Sequence, residues 1–250
     1  MEKTPSRLSD KDAAEVGRKV WQNECGGRIE GLTSWNSGEE FPSLGIGHFI
    51  WYPKGQTGPY SESFPSVLKH LQEHGAKLPD WLSPGMGCPW QTREEFLKDQ
   101  QSARMLELRQ LLSSTVGLQT DYLMQRMENA LPKMLEKAAP ENRDRVKKQF
   151  ERVLNSGKAG VFCLIDYVNF KGEGVVDTER YKGEGWGMLQ VLEHMRETGD
   201  PVQAFADSAK EALTRRVANS PPARHEEKWL PGWKNRVDAY HSGSSNKFSN

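Results

Sequence analysis

Apolar residues recur at helical spacing from the start of the chain. Ala13, Val16 and Val20 form one stripe at intervals of three and four, and Glu24 continues it. Ser9 or Asp10 is a suitable N-cap for this helix, and Gly26-Gly27 ends it. Glu24 therefore falls on the inward face of the last turn. The pattern then changes to "GLTSWNSGEEFPSLGIGHFIWYP", where β-branched and aromatic clusters are broken by Asn-Ser-Gly. That alternation predicts a short antiparallel hairpin and a return strand. Residues 53–90, rich in Pro and Gly, read as an irregular flap with one short helix at about 65–75. From Thr92 the helical period returns. "TREE" is a capping box opening a helix to about Leu112. Further helices follow at about 119–138, 141–155, 158–169, 185–197 and 201–218.

These elements define an α+β, predominantly helical chain with a small antiparallel sheet after the first helix. No long linker or internal repeat interrupts it. The expectation is one bilobal domain over 1–243, with a sheet-bearing lobe at about 24–60, a helical lobe at about 92–240, and a flexible tail at 244–250.

Composition narrows the function. At 250 residues the chain can bury a sizeable core, and 36% apolar residues with a mean hydropathy of −0.76 give it a polar surface. Lys+Arg and Asp+Glu both number 34, and zero net charge argues against a nucleic-acid binder, which needs a basic excess. A neutral glycan needs none. Eight tryptophans suit either core filling or sugar stacking. No apolar run reaches membrane-spanning length, and "MEKTPSRLSDKD" is too polar for a signal peptide, so the protein stays inside the cell or has lost its signal. The three cysteines, Cys25, Cys88 and Cys163, form no close pair, which disfavours a disulfide framework or zinc knuckle.

Glu24 carries the first candidate chemistry. A carboxyl at a helix C-terminus meets the negative end of the helix dipole, and apolar neighbours desolvate it. Both effects raise a pKa and favour a protonated acid able to serve a glycosidic oxygen. A hydrogen bond to the following hairpin, or an Arg partner, explains Glu24 equally simply. In "PSLGIGHFIW", Gly45 and Gly47 leave a strand face bare, for a ligand or for a helix packed against a bulge.

A Glu ending the first helix, an acid-bearing hairpin and a Ser-Leu-Gly-Ile-Gly-His strand together resemble the lysozyme superfamily. The likeness is nearest to phage-type muramidases and more distant to lytic transglycosylases and chitosanases. It covers about residues 10–52. The resemblance implies Glu24 as general acid, Ser43 as the hydroxyl that positions water, and His48 as a structural residue holding the sheet against the second lobe. It also implies a hairpin Asp six residues before the hydroxyl, but Ser37 stands there, beside Asn36. Period-2 alternation puts Glu39 on the face of Ser43, making it the preferred second carboxylate, and turns Glu40 toward solvent. A bulge would exchange the two, and Glu30 is a third candidate.

Farther on, "LIDYVNFKGEG" resembles the Tyr-Asn stretch of transglycosylases and puts Tyr167 and Asn169 in the cleft. "YKGEGWG" offers Tyr181 in a glycine-rich loop suited to stacking on sugar. "ALTRRVANSP" resembles a paired-Arg helix of phage lysozymes, in which Arg215 or Arg216 pairs with a cleft carboxylate or simply faces solvent. The catalytic set is thus Glu24, Glu39 and Ser43, and the substrate-binding set is Glu40, His48, Tyr167, Asn169 and Tyr181.

Other signals are set aside. His70 and His74 have helical spacing but lack a third metal ligand, "DYVNFKGEGVVD" has Val168 where a calcium loop needs oxygen, and Cys25 has no evident His partner. The chain is expected to need no metal or cofactor. It is expected to act as a monomeric, periplasmic or secreted muramidase on the β-1,4 glycan strands of peptidoglycan, without nucleic-acid or membrane partners. Hydrolysis of de-N-acetylated glycan, lytic transglycosylation and inactive wall binding are the alternatives.

Overall fold

The computed structural model describes residues 8–58 and 60–240. The segment expected to be a flexible tail lies outside them. The chain is mostly helical, with a small three-stranded antiparallel sheet near its start. It divides into two compact units, residues 10–123 and residues 124–240 with Leu8 and Ser9, and the boundary falls inside one long helix.

In the first unit, α1 (Asp10–Cys25) buries Val16 and Val20. It stops where Gly26 and Gly27 take φ of 62° and 69°, values that favour glycine. Gly17 lets α1 approach α5 (Val116–Lys137), because a Cβ there would collide with Thr120 Oγ1. The sheet consists of β1 (Thr33–Ser34), β2 (Ser43–Leu44) and β3 (Phe49–Ile50), in that order. Ser34 pairs with Ser43, and Leu44 pairs with Phe49. The hairpin and return strand therefore form as the alternation predicts.

Residues 53–90 pack onto the sheet end rather than standing apart as a flap. Pro53 bridges Cys88, and the Trp51 indole donates to Met86 O at 3.1 Å. The helix expected there is α2 (Phe64–Glu73), which buries Phe64 against Trp51. The helix expected to run from Thr92 to Leu112 is instead two, α3 (Arg93–Lys98) and α4 (Ala103–Ser114). Thr92 Oγ1 accepts from Glu95 N, as a capping box requires, but Asp99 then turns its carboxylate to the Trp90 indole at 2.8 Å. Ser102 starts the chain again by accepting from Met105 N. Local capping overrides a continuous apolar period here.

In the second unit, α7 (Lys158–Lys171) is buried along most of its length, from Gly160 to Val168, and is the element around which the others pack. Around it lie α6 (Arg143–Leu154), α8 (Met188–His194) and α9 (Pro201–Asn219), the last capped by Asp200. Between α7 and α8 the "YKGEGWG" stretch forms a tight hairpin, β4 (Arg180–Tyr181) with β5 (Glu184–Gly185), turned by Lys182 and Gly183 at positive φ. The helix expected to begin at 185 therefore starts at Met188. A final helix, α10 (Leu230–Asp238), follows a stretch that the apolar period does not mark.

The turn that carries the Gly-Ile-Gly-His run rests on one buried carboxamide. Gln119, fully buried in α5, accepts from Ile46 N at 3.0 Å and donates to Leu112 O at 2.7 Å. Replacing Gln119 with Leu leaves the Ile46 amide buried and unpaired. The expected loss is about 1–3 kcal/mol, read as a lower denaturant midpoint; an unchanged midpoint would show that the turn stands without it.

Candidate functional site

Glu24 is the penultimate residue of α1, and its side chain is 11% exposed. Its Oε2 lies 3.5 Å from His48 Nδ1. On the other side of the ring, His48 Nε2 lies 3.4 Å from Cys25 Sγ, and Cys25 Sγ points to Gly45 O at 3.9 Å. The imidazole thus sits between a carboxyl and a thiol that are neighbours in sequence. The expectation that Cys25 lacks a His partner is corrected. The missed signal was that the Gly-Ile-Gly-His turn folds back to the end of α1.

Burial, with the Glu24 charge adding to it, pushes the Cys25 thiol up to about 12. The thiol therefore stays protonated at neutral pH and is a hydrogen-bonding neighbour, not a nucleophile. Cys88 is also pushed up to about 12, mainly by burial, and all three cysteines are buried.

The glycines of this turn accommodate protein, not ligand. A Cβ on Gly45, whose φ is 70°, would strike Gln119 Oε1, and one on Gly47 would lie 2.7 Å from the Phe49 ring. The bulge packed against a helix is the better reading of the pair. His48 itself holds φ of 49°, a left-handed conformation that a non-glycine residue adopts at some cost.

Ser43 is buried in the middle strand, where its carbonyl accepts from Ser34 Oγ at 3.3 Å. Glu39 and Glu40 lie in the loop between β1 and β2, outside either strand, so strict alternation does not govern them. Glu39 is half-buried and accepts from Asn36 Nδ2 at 3.2 Å, and its carbonyl closes the loop on the Trp35 indole at 2.7 Å. Glu40 and Glu30 are exposed.

In the second unit the expected cleft residues are engaged in contacts within the protein. Tyr167 is fully buried and donates to Trp186 O at 2.8 Å, and its phenol is pushed up by that burial. It is a core residue, which overturns its role as a sugar contact. Asn169 is half-buried and accepts from Arg126 Nη1 at 3.3 Å. Tyr181 packs on Trp186 with ring centroids 4.6 Å apart and donates to Glu226 Oε1 at 2.8 Å.

Glu226, unmarked in the sequence because it sits in a polar run, is only 3% exposed. Arg216 grips it with two bonds of 2.7 and 2.9 Å, and Arg224 Nε adds one at 3.0 Å. Arg216 therefore does pair with a carboxylate, though not one the sequence suggested. Burial would raise the Glu226 pKa, but the bonds from Arg216, Tyr181 and Arg224 outweigh it and hold the group at about 2. Arg216 also lies over the Trp186 ring at 4.1 Å. Nearby, Lys171 stands over the Trp233 and Phe170 rings at 3.6 and 4.0 Å. Burial and the neighbouring Arg216 charge push its amine down to about 6, against the pull of Glu226.

No protein-family model, curated protein or solved structure matches the chain.

The Glu226 cluster has a pH signature. Its folded pKa lies below the ordinary 4.5, so its stabilisation is complete above about pH 4.5 and drains away as pH falls toward about 2. Glu226→Ala leaves Arg216 without its partner and is expected to cost about 3–5 kcal/mol at neutral pH. The Tm gap between wild type and Glu226→Gln should close over that acid window; a gap constant down to the lower limit would show that the pair contributes nothing through its charge.

Proposed function

We propose that the protein is a glycoside hydrolase of the lysozyme type that cleaves the β-1,4 amino-sugar backbone of peptidoglycan. The observation that carries this reading is the Glu24 carboxyl, mostly enclosed at the end of α1 and facing His48 at the end of the Ser-Leu-Gly-Ile-Gly-His run. The mostly helical chain, with its small sheet directly after α1, fits a bilobal lysozyme-like architecture. Glu24 donates its proton to the leaving glycosidic oxygen. Glu39, half-buried and steadied by Asn36, activates water or stabilises the oxocarbenium charge. Ser43, in β2, is the hydroxyl that would orient the attacking water. The substrate places the activity outside the cytoplasm, in the periplasm or medium, with the chain working as a monomer.

A second reading has its own observation. Glu30 and Glu40 are exposed and Glu39 is half-buried, which leaves three carboxylates of this stretch open to solvent. Such an acidic rim suits the bare amines of de-N-acetylated glycan.

Incubation of the full chain with acetylated and de-N-acetylated sacculi, followed by mass spectrometry of the released fragments, tests both readings. Wild type should release fragments with reducing ends, and Glu24→Gln should be slower by about 10²–10⁴-fold. Anhydro ends would make it a transglycosylase. No release from either substrate would make it a wall-binding protein at most, and an active Gln variant would remove Glu24 from the acid role.

A further inference from the structure

Trp229 is 54% exposed, unusual for so large an apolar ring. It stands beside a cavity of about 270 Å³ lined by Arg216, Arg224, Glu226, Trp229 and Trp233. That volume falls just below the roughly 300 Å³ at which ligand pockets begin, and fits a single ring better than a polymer. The walls combine indole faces with guanidinium groups. One side is rigid: Glu226 and Arg216 are both largely buried and doubly bonded to each other. The other side is open, because the Arg224 side chain is 58% exposed even while its Nε holds Glu226.

Charge decides what fits. Two arginines against one glutamate leave the lining with a single excess positive charge. A monoanion balances this lining, whereas a dianion would meet the buried Glu226 carboxylate. A planar carboxylate also matches the arginine fork. The Lys171 amine covers the Trp233 ring at 3.6 Å, whereas the Lys228 amine stands farther off Trp229, at 5.2 Å, so the half-exposed ring of Trp229 is the surface for stacking.

We infer that this pocket binds a monoanionic sugar acid, with its pyranose ring stacked on Trp229 and its carboxylate on Arg224. The site is built wholly from residues of the second unit and does not depend on Glu24 or on the hydrolase reading.

Isothermal titration of the full chain tests it. Glucuronate should bind at least tenfold tighter than glucose, and N-acetylmuramate at least tenfold tighter than N-acetylglucosamine. A response to both acids marks a general sugar-acid site, and a response to one alone identifies the glycan source. Arg224→Gln should erase the preference for the acid, and Trp229→Ala should weaken binding at least tenfold. Both side chains are more than half exposed, and circular dichroism confirms that the variants stay folded. Glucuronate is not a sugar of the peptidoglycan backbone, so its binding reports on this site alone and separates failure here from failure of the wall-hydrolase proposal. The inference is overturned if acid and neutral sugar bind alike, if Arg224→Gln keeps the preference, or if inorganic phosphate binds more tightly than either acid. It is also overturned if neither acid reaches a Kd of about 1 mM.

Discussion

The hydrogen bonds of Gln119 set the geometry on which the candidate acid depends. A four-residue turn between β2 and β3 buries its own backbone, and a buried amide must find an acceptor. Helix α5 supplies one through the Gln119 carboxamide on Ile46 N, and the same side chain is anchored at Leu112 O and Thr115 Oγ1. Gly45 has to be glycine because the carboxamide occupies the space of its Cβ. With the turn fixed, His48 is delivered to the end of α1, between Glu24 and Cys25. A loss at Gln119 would thus be felt at the candidate acid through the backbone of the turn.

The second unit is organised by a different constraint, the cost of burying charge. Asp166 is fully buried and receives two bonds from Arg236 and one of 2.7 Å from Tyr240. Glu226 is served by two arginines and a tyrosine. A buried carboxylate left without such partners would destabilise the fold by several kcal/mol, so each pair fixes where its elements sit. Asp166 anchors α10 to α7. Glu226 anchors the turn after α9 to β4, and this holds Trp229 and Trp233 at the rim of the pocket.

What the sequence makes legible follows from range. The α1 stripe, its glycine stop and the three strands are local patterns, and each forms where the period and the breaking residues place it. The division of the Thr92–Leu112 stretch depends on Trp90 reaching Asp99, a contact the apolar period does not encode. Glu39 falls outside the strands because each strand is only two residues long, too short for alternation to extend into the loop. Tyr167 has the composition of a cleft residue but sits on the most enclosed helix. Glu226 and the Cys25–His48 contact join residues 10 and 23 positions apart, and only the folded chain brings them together.

The thiol beside His48 bears on how Glu24 would work as an acid. A sulfur whose pKa is pushed up to about 12 keeps its hydrogen, and the carbonyl of Gly45 lies in position to accept it. The sulfur lone pairs then face His48 Nε2 and are best met by a ring carrying its hydrogen there. In that tautomer Nδ1 presents its lone pair on the side of Glu24 Oε2, 3.5 Å away. Cys25 therefore fixes the orientation of the ring that Glu24 would face as an acid. That role follows from burial: the desolvation that makes the thiol useless as a nucleophile makes it a dependable hydrogen-bond partner.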